Sequence, residues 1–117
     1  MTITIYGIKN CDSMKKAFTW LKEAGVAYEF HDYARRGIDE DTLKRWAANI
    51  GGWEKLINTK GLTWRGLSDA EKSNLYEAKA YQLMIAKPSL IRRPIVERDG
   101  QLMMGFDHTR FDEFFNQ

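Results

Sequence analysis

The sequence contains one cysteine, Cys11, which follows a short predicted strand and immediately precedes a predicted helix. Backbone N–H groups at the start of a helix have no partner within the helix and, together with the helix dipole, stabilise an anion. This position therefore predicts a lowered thiol pKa, which Lys15 and Lys16 favour and Asp12 opposes. Because a thiolate is the nucleophile of thiol–disulfide exchange, the position favours redox or oxyanion chemistry.

The residues around Cys11 limit the disulfides that it could form. Met14 stands where the second cysteine of a dithiol motif would be, so any disulfide must form with an external thiol. A lone cysteine is often a small buried apolar residue instead, and the sequence leaves that alternative open. With one cysteine, and with His31 and His108 far apart in the chain, we expect no structural metal.

The N-terminal part of the chain predicts a strand, a helix and a second strand. Residues 2–6 alternate polar and β-branched or aromatic side chains, which is strand periodicity. A helix is predicted from Asp12 to a stop at Gly25, and residues 26–33 are typical of a strand. The apolar stripe of the helix consists of Met14, Ala17, Phe18 and Leu21. Such a βαβ unit predicts parallel strands with a right-handed crossover.

The middle of the chain predicts helices. Asp39 is an N-cap for a helix that ends at Gly51, and a short helix is expected over residues 53–57. Residues 58–66 are predicted to be irregular, and a further helix is expected over about 74–86, where a proline follows.

The C-terminal part predicts a hairpin and a last helix. Residues 94–98 and 101–104 flank an Asp-Gly pair, which favours the tight turn of a two-residue hairpin. Asp107 is a suitable cap for the helix that follows. The predicted order is therefore βαβ, helices, ββα.

Composition excludes several classes of function. The chain has 117 residues, 44% hydrophobic and 29% charged, as expected for one compact soluble domain. Eighteen basic and sixteen acidic residues give a net charge of +2, which argues against nucleic acid as the main partner. No apolar run approaches the about 20 residues of a membrane span, and residues 1–5 lack the features of a secretion signal. We therefore expect a cytoplasmic protein that does not bind a membrane.

Two segments, YGIKNCD over residues 6–12 and RRPIV over residues 92–96, resemble the ArsC family of thioredoxin-fold proteins. That family includes glutaredoxin-coupled arsenate reductases, Spx-type regulators and YffB-type reductases. The segments FHDY (30–33) and NTKGLTWR (58–65) are most similar to the YffB-type branch. The resemblance implies one thioredoxin/glutaredoxin-like α/β domain over residues 1–117. Its sheet would be mixed and four-stranded, with an all-helical insertion at about 38–88.

The resemblance also implies roles for three residues. Cys11 matches the nucleophile, and Arg93 matches an arginine that lies beside the active cysteine in the arsenate reductases. A guanidinium at that place would stabilise a thiolate or hold an oxyanion. Pro94 matches the cis-proline of thioredoxin folds, which presents neighbouring backbone to an incoming thiol or peptide.

Glutathione is the co-substrate that the resemblance implies. Phe106 and Asp107 match the turn that holds the γ-glutamyl end in glutaredoxins, although Asp107 is equally suited to be only a helix cap. Lys9, Asn10 and Arg65 are further candidates for polar contacts with glutathione. No tightly bound cofactor is expected.

The predicted function is therefore glutathione-dependent reduction of a disulfide or oxidised thiol by a monomer. Arsenate reduction is the first alternative, with an oxyanion substrate and glutaredoxin as partner. The resemblance disfavours it, because it places Asn58 and Gly105 where the arsenate reductases have further arginines. An Spx-like regulator that binds a protein partner is the second alternative, and the absence of a second cysteine disfavours it.

Overall fold

The computed structural model describes residues 2–116, which form two compact units. One unit takes in the chain up to Arg36 and again from Arg93, and the other spans Gly37–Arg92. In chain order the strands and α-helices are β1 (Ile3–Gly7), α1 (Asp12–Ala24), β2 (Glu29–Asp32), α2 (Tyr33–Arg36), α3 (Glu40–Ile50), α4 (Leu62–Arg65), α5 (Asp69–Lys72), α6 (Glu77–Ala86), β3 (Ile95–Arg98), β4 (Gln101–Met104) and α7 (His108–Phe115). Within the described residues, two 3-10 helices lie between them, at Trp53–Leu56, where a short helix was predicted, and at Pro88–Leu90. The expectation of a single domain with an insertion at about 38–88 stays a prediction.

A four-stranded sheet in the order β2-β1-β3-β4 organises the first unit. Strand β1 pairs in parallel with β2, where Ile5 faces Phe30, and antiparallel with β3, where Ile5 faces Val96. Strands β3 and β4 form the antiparallel hairpin that the Asp-Gly turn predicts. The predicted mixed four-stranded sheet is thus confirmed.

Helix α1 packs its apolar stripe on this sheet. Met14, Ala17 and Leu21 are fully buried, as predicted, and Trp20 is also buried. The helix ends at Gly25, whose positive φ of 70° lets its N–H reach the carbonyls of the last turn. This packing determines where the N-terminus of α1, and therefore Cys11, lies relative to the strands.

Helix α7 contributes aromatic side chains to the same core. Phe111 is fully buried, and its ring meets Trp20 edge-to-face at 5.3 Å between centroids. The core of the first unit consists of Ile3, Ile5, Met14, Ala17, Trp20, Leu21, Val96, Met103, Phe111 and Phe114. Burial of these side chains supplies the main stabilising free energy of the unit.

Strand β2 is shorter than the predicted strand over residues 26–33. It ends at Asp32, one carboxylate oxygen of which accepts the backbone N–H groups of Ala34 at 3.1 Å and Arg35 at 3.3 Å. An aspartate that caps free N–H groups favours the start of a helix over continuation of a strand. Tyr33 therefore begins α2, and the strand prediction for it was wrong.

The second unit is helical, and its prediction needs two corrections. Residues 62–65 form the short helix α4 within the segment predicted to be irregular. The N–H of Arg65 donates the helical hydrogen bond to the carbonyl of Gly61 at 3.2 Å. Helix α6 begins at Glu77 and not near residue 74, because Asn74 has a positive φ of 51°. Asp39 caps α3 as predicted, accepting the N–H of Thr42 at 2.8 Å.

Candidate active site

Cys11 is the N-cap residue of α1, with extended backbone angles. Its carbonyl accepts the N–H of Lys15 at 2.9 Å and so begins the helical hydrogen bonds. Its half-buried sulfur faces the N–H groups of Ser13 and Met14. These groups lower the pKa of the thiol, although neither forms a capping hydrogen bond of standard geometry with the sulfur. The sulfur thus occupies the anion-stabilising end of the helix, as predicted.

Arg93 lies directly against this sulfur. Its Nε donates a hydrogen bond to Cys11 Sγ at 3.2 Å, across 82 positions of the chain. The pairing of Tyr6 with Ile95 explains this contact, because it brings the start of β3 alongside the end of β1. The Arg93–Pro94 peptide is cis and the proline is buried, with its carbonyl accepting the N–H of Gly105 at 2.8 Å.

Tyr33 is a third member of this cluster and was not predicted. Its side chain is fully buried, and it shares a hydrogen bond with the guanidinium of Arg93. Burial raises the pKa of Tyr33, the nearby charges of Cys11 and Asp32 raise it further, and Arg93 offsets part of the rise. The hydroxyl therefore stays neutral and holds the guanidinium that contacts the sulfur. The capping aspartate before Tyr33 was the sequence signal that could have placed it at a helix start.

The pKa of Cys11 reflects opposing influences. Partial burial, the largest, raises it, but the Met14 N–H, the hydrogen bond and charge of Arg93, and the Ser13 N–H together lower it below the ordinary value. The pKa of Arg93 is raised because its contacts with the sulfur and with Tyr33 outweigh the effect of its own burial. The arrangement can hold a thiolate and present it to an electrophilic sulfur or an oxyanion.

The other predicted residues of the first unit lie around the loop and at the start of α7. Lys9 and Asn10 are exposed immediately before Cys11. Phe106 is half-buried, and Asp107 caps α7 by accepting the N–H of Arg110 at 3.0 Å. A role for these residues in binding glutathione stays a prediction.

Arg65 belongs to the other unit, at the end of α4, with an exposed side chain. Its role also stays a prediction. Over residues 2–116, no cluster of three or more histidine, cysteine, aspartate or glutamate side chains could hold a metal ion. No helix in that range is long and apolar enough to cross a membrane.

The order of the mixed four-stranded sheet and the cysteine at the N-terminus of the first helix are those of a thioredoxin/glutaredoxin-like protein. The chain belongs to the ArsC family, whose model matches residues 6–114. Its fold is that of the arsenate and thiol reductases of this family.

Three relatives illustrate the match. The structure of a YffB protein is similar with a TM-score of 0.90 and 49% identity, covering 96% of this chain and 97% of that one. An uncharacterized protein of Haemophilus influenzae is 38% identical over 97% of this chain and 98% of its own length. A protein of Streptococcus mutans named global transcriptional regulator Spx is 26% identical over 96% of this chain and 82% of its own length.

Proposed function

We propose that this protein is a glutathione-dependent thiol reductase in which Cys11 is the nucleophile and Arg93 stabilises its thiolate. The observation that carries the proposal is the contact of 3.2 Å between Arg93 Nε and Cys11 Sγ at the N-terminus of α1. A thiolate stabilised by amides and a guanidinium attacks disulfides at neutral pH and is also a good leaving group.

The reaction consists of two exchanges at the same sulfur. The Cys11 thiolate attacks one sulfur of a glutathione mixed disulfide, forming a bond to the glutathione sulfur as the substrate leaves as a thiolate. The thiolate of a second glutathione then attacks the glutathione sulfur of this enzyme-bound disulfide. Oxidised glutathione departs and the Cys11 thiolate is restored. The substrate sulfur leaves with the electron pair of its S–S bond and takes up a proton from solvent as a thiol, while the thiolate of the second glutathione supplies the electron pair of the S–S bond in oxidised glutathione.

Arg93 acts in both exchanges. It stabilises the negative charge of Sγ before the first attack and again as that sulfur becomes the leaving group of the second. Because Cys11 is the nucleophile of the first exchange and the leaving group of the second, the reaction needs no second cysteine in the chain. Because glutathione must be kept reduced, the proposal places the protein in the cytoplasm.

Turnover with a glutathione mixed disulfide tests the proposal. Oxidised glutathione formed by the protein is reduced by glutathione reductase, and the consumption of NADPH reports the rate. We expect turnover by the unmodified protein and no turnover by Cys11→Ser. The control variant Lys22→Gln, at the far end of α1, should turn over like the unmodified protein. Turnover retained in Cys11→Ser, or none in the natural sequence, would refute the proposal.

Arsenate reduction is the second candidate, because a guanidinium against a thiolate also suits an oxyanion. The same coupled assay, with arsenate as the oxidant and glutaredoxin added, separates the two functions. Since the resemblance to the arsenate reductases places Asn58 and Gly105 where those enzymes have arginines, we expect arsenate to give no turnover above background.

A further inference from the structure

A concave basic surface lies beside the loop that carries Cys11, within the first unit. It has a volume of about 450 Å³ and is lined by Lys9, Phe30, Asp32, Arg35 and Arg36, which we call the basic concavity. Asp32 pairs with Gly7, so the concavity lies where the parallel strands β1 and β2 end and the Cys11 loop begins. Ligands of α/β sheets commonly bind outside this edge of parallel strands.

The basic concavity holds an excess of positive charge. Within residues 2–116, the side chains of Lys9, Arg35 and Arg36 form no hydrogen bond or ion pair. The acidic residue of its lining is Asp32, and that carboxylate already accepts the N–H groups of Ala34 and Arg35. Three cations therefore face solvent around one carboxylate that is held by the start of α2.

Short connections join the basic concavity to the reacting sulfur. Lys9 precedes Cys11 by two residues. Tyr33, the first residue of α2, hydrogen-bonds Arg93, and the two arginines of the concavity follow Tyr33 in the same short helix. A molecule joined to Cys11 by a disulfide thus has a cationic surface next to its sulfur.

We propose that the basic concavity is a carboxylate-binding subsite for the molecule that exchanges disulfides with Cys11. Guanidinium groups bind carboxylates with paired hydrogen bonds, and the half-buried ring of Phe30 offers an apolar wall to the carbon chain between carboxylate and sulfur. The carboxylate belongs either to glutathione or to the disulfide substrate, since both can present the same group. The subsite rests on the proposed function only in requiring that Cys11 reacts with disulfides.

A comparison of two disulfides tests the subsite without glutathione. In each reaction the Cys11 thiolate bonds to one sulfur of the reagent, the S–S bond of the reagent breaks, and the other half leaves as a coloured thiolate or thione. Dithiobis(nitrobenzoate) carries carboxylates, whereas dithiodipyridine carries none. The variants are Arg35→Gln, Arg36→Gln and the double variant. Lys22→Gln is the matched control, because it removes the same charge about 16 Å along α1 from Cys11.

We expect each single variant to slow the reaction with dithiobis(nitrobenzoate) by about three- to fivefold, and the double variant by about tenfold or more. Dithiodipyridine should react at an unchanged rate with every variant, which also shows that the fold and the thiolate are intact. The control should leave both rates unchanged. An equal loss with both reagents, or no loss with the anionic one, would overturn the proposal.

The source of the carboxylate is identified in a second measurement. Cys11 is first converted to its mixed disulfide with cysteamine. The thiolate of glutathione, or of glutathione diethyl ester, then bonds to the cysteamine sulfur, the bond of that sulfur to Cys11 Sγ breaks, and the Cys11 thiolate is restored. The appearance of the glutathione–cysteamine disulfide is followed. If Arg35→Gln slows glutathione and not the ester, the subsite holds the carboxylates of glutathione. If Arg35→Gln changes the rates with glutathione and with its ester equally, but slows the reaction with dithiobis(nitrobenzoate), the subsite binds a carboxylate of the disulfide substrate. If the unmodified protein shows no turnover with glutathione, but Arg35→Gln still slows only the reaction with dithiobis(nitrobenzoate), the proposed function is refuted and the subsite is supported.

Discussion

Replacing Arg93 by glutamine tests the electrostatic basis of the site. The guanidinium Nε lies 3.2 Å from Sγ, and at this distance Coulomb attraction amounts to about 1.3 kcal/mol at the dielectric constant of water. At the effective dielectric constant of about 20 that is typical near a protein surface the attraction would be about 5 kcal/mol, and solvent screening of the two partly exposed groups reduces it to about 1.3–2.6 kcal/mol. We therefore expect Arg93→Gln to raise the pKa of Cys11 by about 1–2 units.

The effect on reactivity is smaller than the effect on the pKa. When the pH of the assay lies below the pKa of the Cys11 thiol, a rise of that pKa by about 1–2 units lowers the fraction of thiolate about 10- to 100-fold. A thiolate of higher pKa is more nucleophilic, with a Brønsted coefficient of about 0.5, so disulfide exchange should slow only about 3- to 10-fold.

The ultraviolet absorbance of the thiolate as a function of pH measures this pKa directly. Arg93→Lys keeps the charge and should retain part of the shift. Arg92→Gln, whose arginine donates to the carbonyl of Ile57, is the matched control and should leave the pKa unchanged. An unchanged pKa in Arg93→Gln would show that the amides of α1 alone stabilise the thiolate, and would refute the role given to the guanidinium.

Three further predictions concern residues around the sulfur. Tyr33→Phe removes a hydroxyl that holds the guanidinium and should raise the thiolate pKa, by less than Arg93→Gln does, in the same absorbance titration; no rise would contradict a positioning role. The pKa of Cys11 is lower in the folded state than its ordinary value of 9.0, so the thiolate stabilises the fold above that value, and this contribution is lost as the pH falls through the folded-state pKa. In urea unfolding, the stability advantage over Cys11→Ser should therefore grow as the pH is raised through this window, and a constant difference would contradict the lowered pKa. A methyl group at Gly7 would overlap the buried Sδ of Met14 and lie 2.6 Å from its Cε, so Gly7→Ala should cost about 1–3 kcal/mol, whereas Gly66→Ala, with no contact under 3.4 Å, should cost less than about 0.5 kcal/mol; equal losses would refute the steric argument.

The features predicted from the sequence alone depend on neighbouring residues. A cysteine directly before an apolar stripe with helical spacing becomes an N-cap, because hydrogen bonding within the helix leaves its first N–H groups free. The stop at Gly25 and the cap at Asp39 follow from the same local chemistry. The end of β2 was predicted wrongly because the choice between strand and helix at Tyr33 depends on one side-chain cap as well as on periodicity.

The environment of the sulfur was decided by the tertiary structure. Arg93 was expected beside Cys11 only through resemblance, and 82 positions separate the two residues in the chain. The register of β3 on β1 brings them together, while the start of α2 directly after β2 buries Tyr33 against the same guanidinium. Composition and periodicity describe which face of an element is apolar, but they do not give the register between strands that are distant in sequence. The charge next to the thiolate depends on that register.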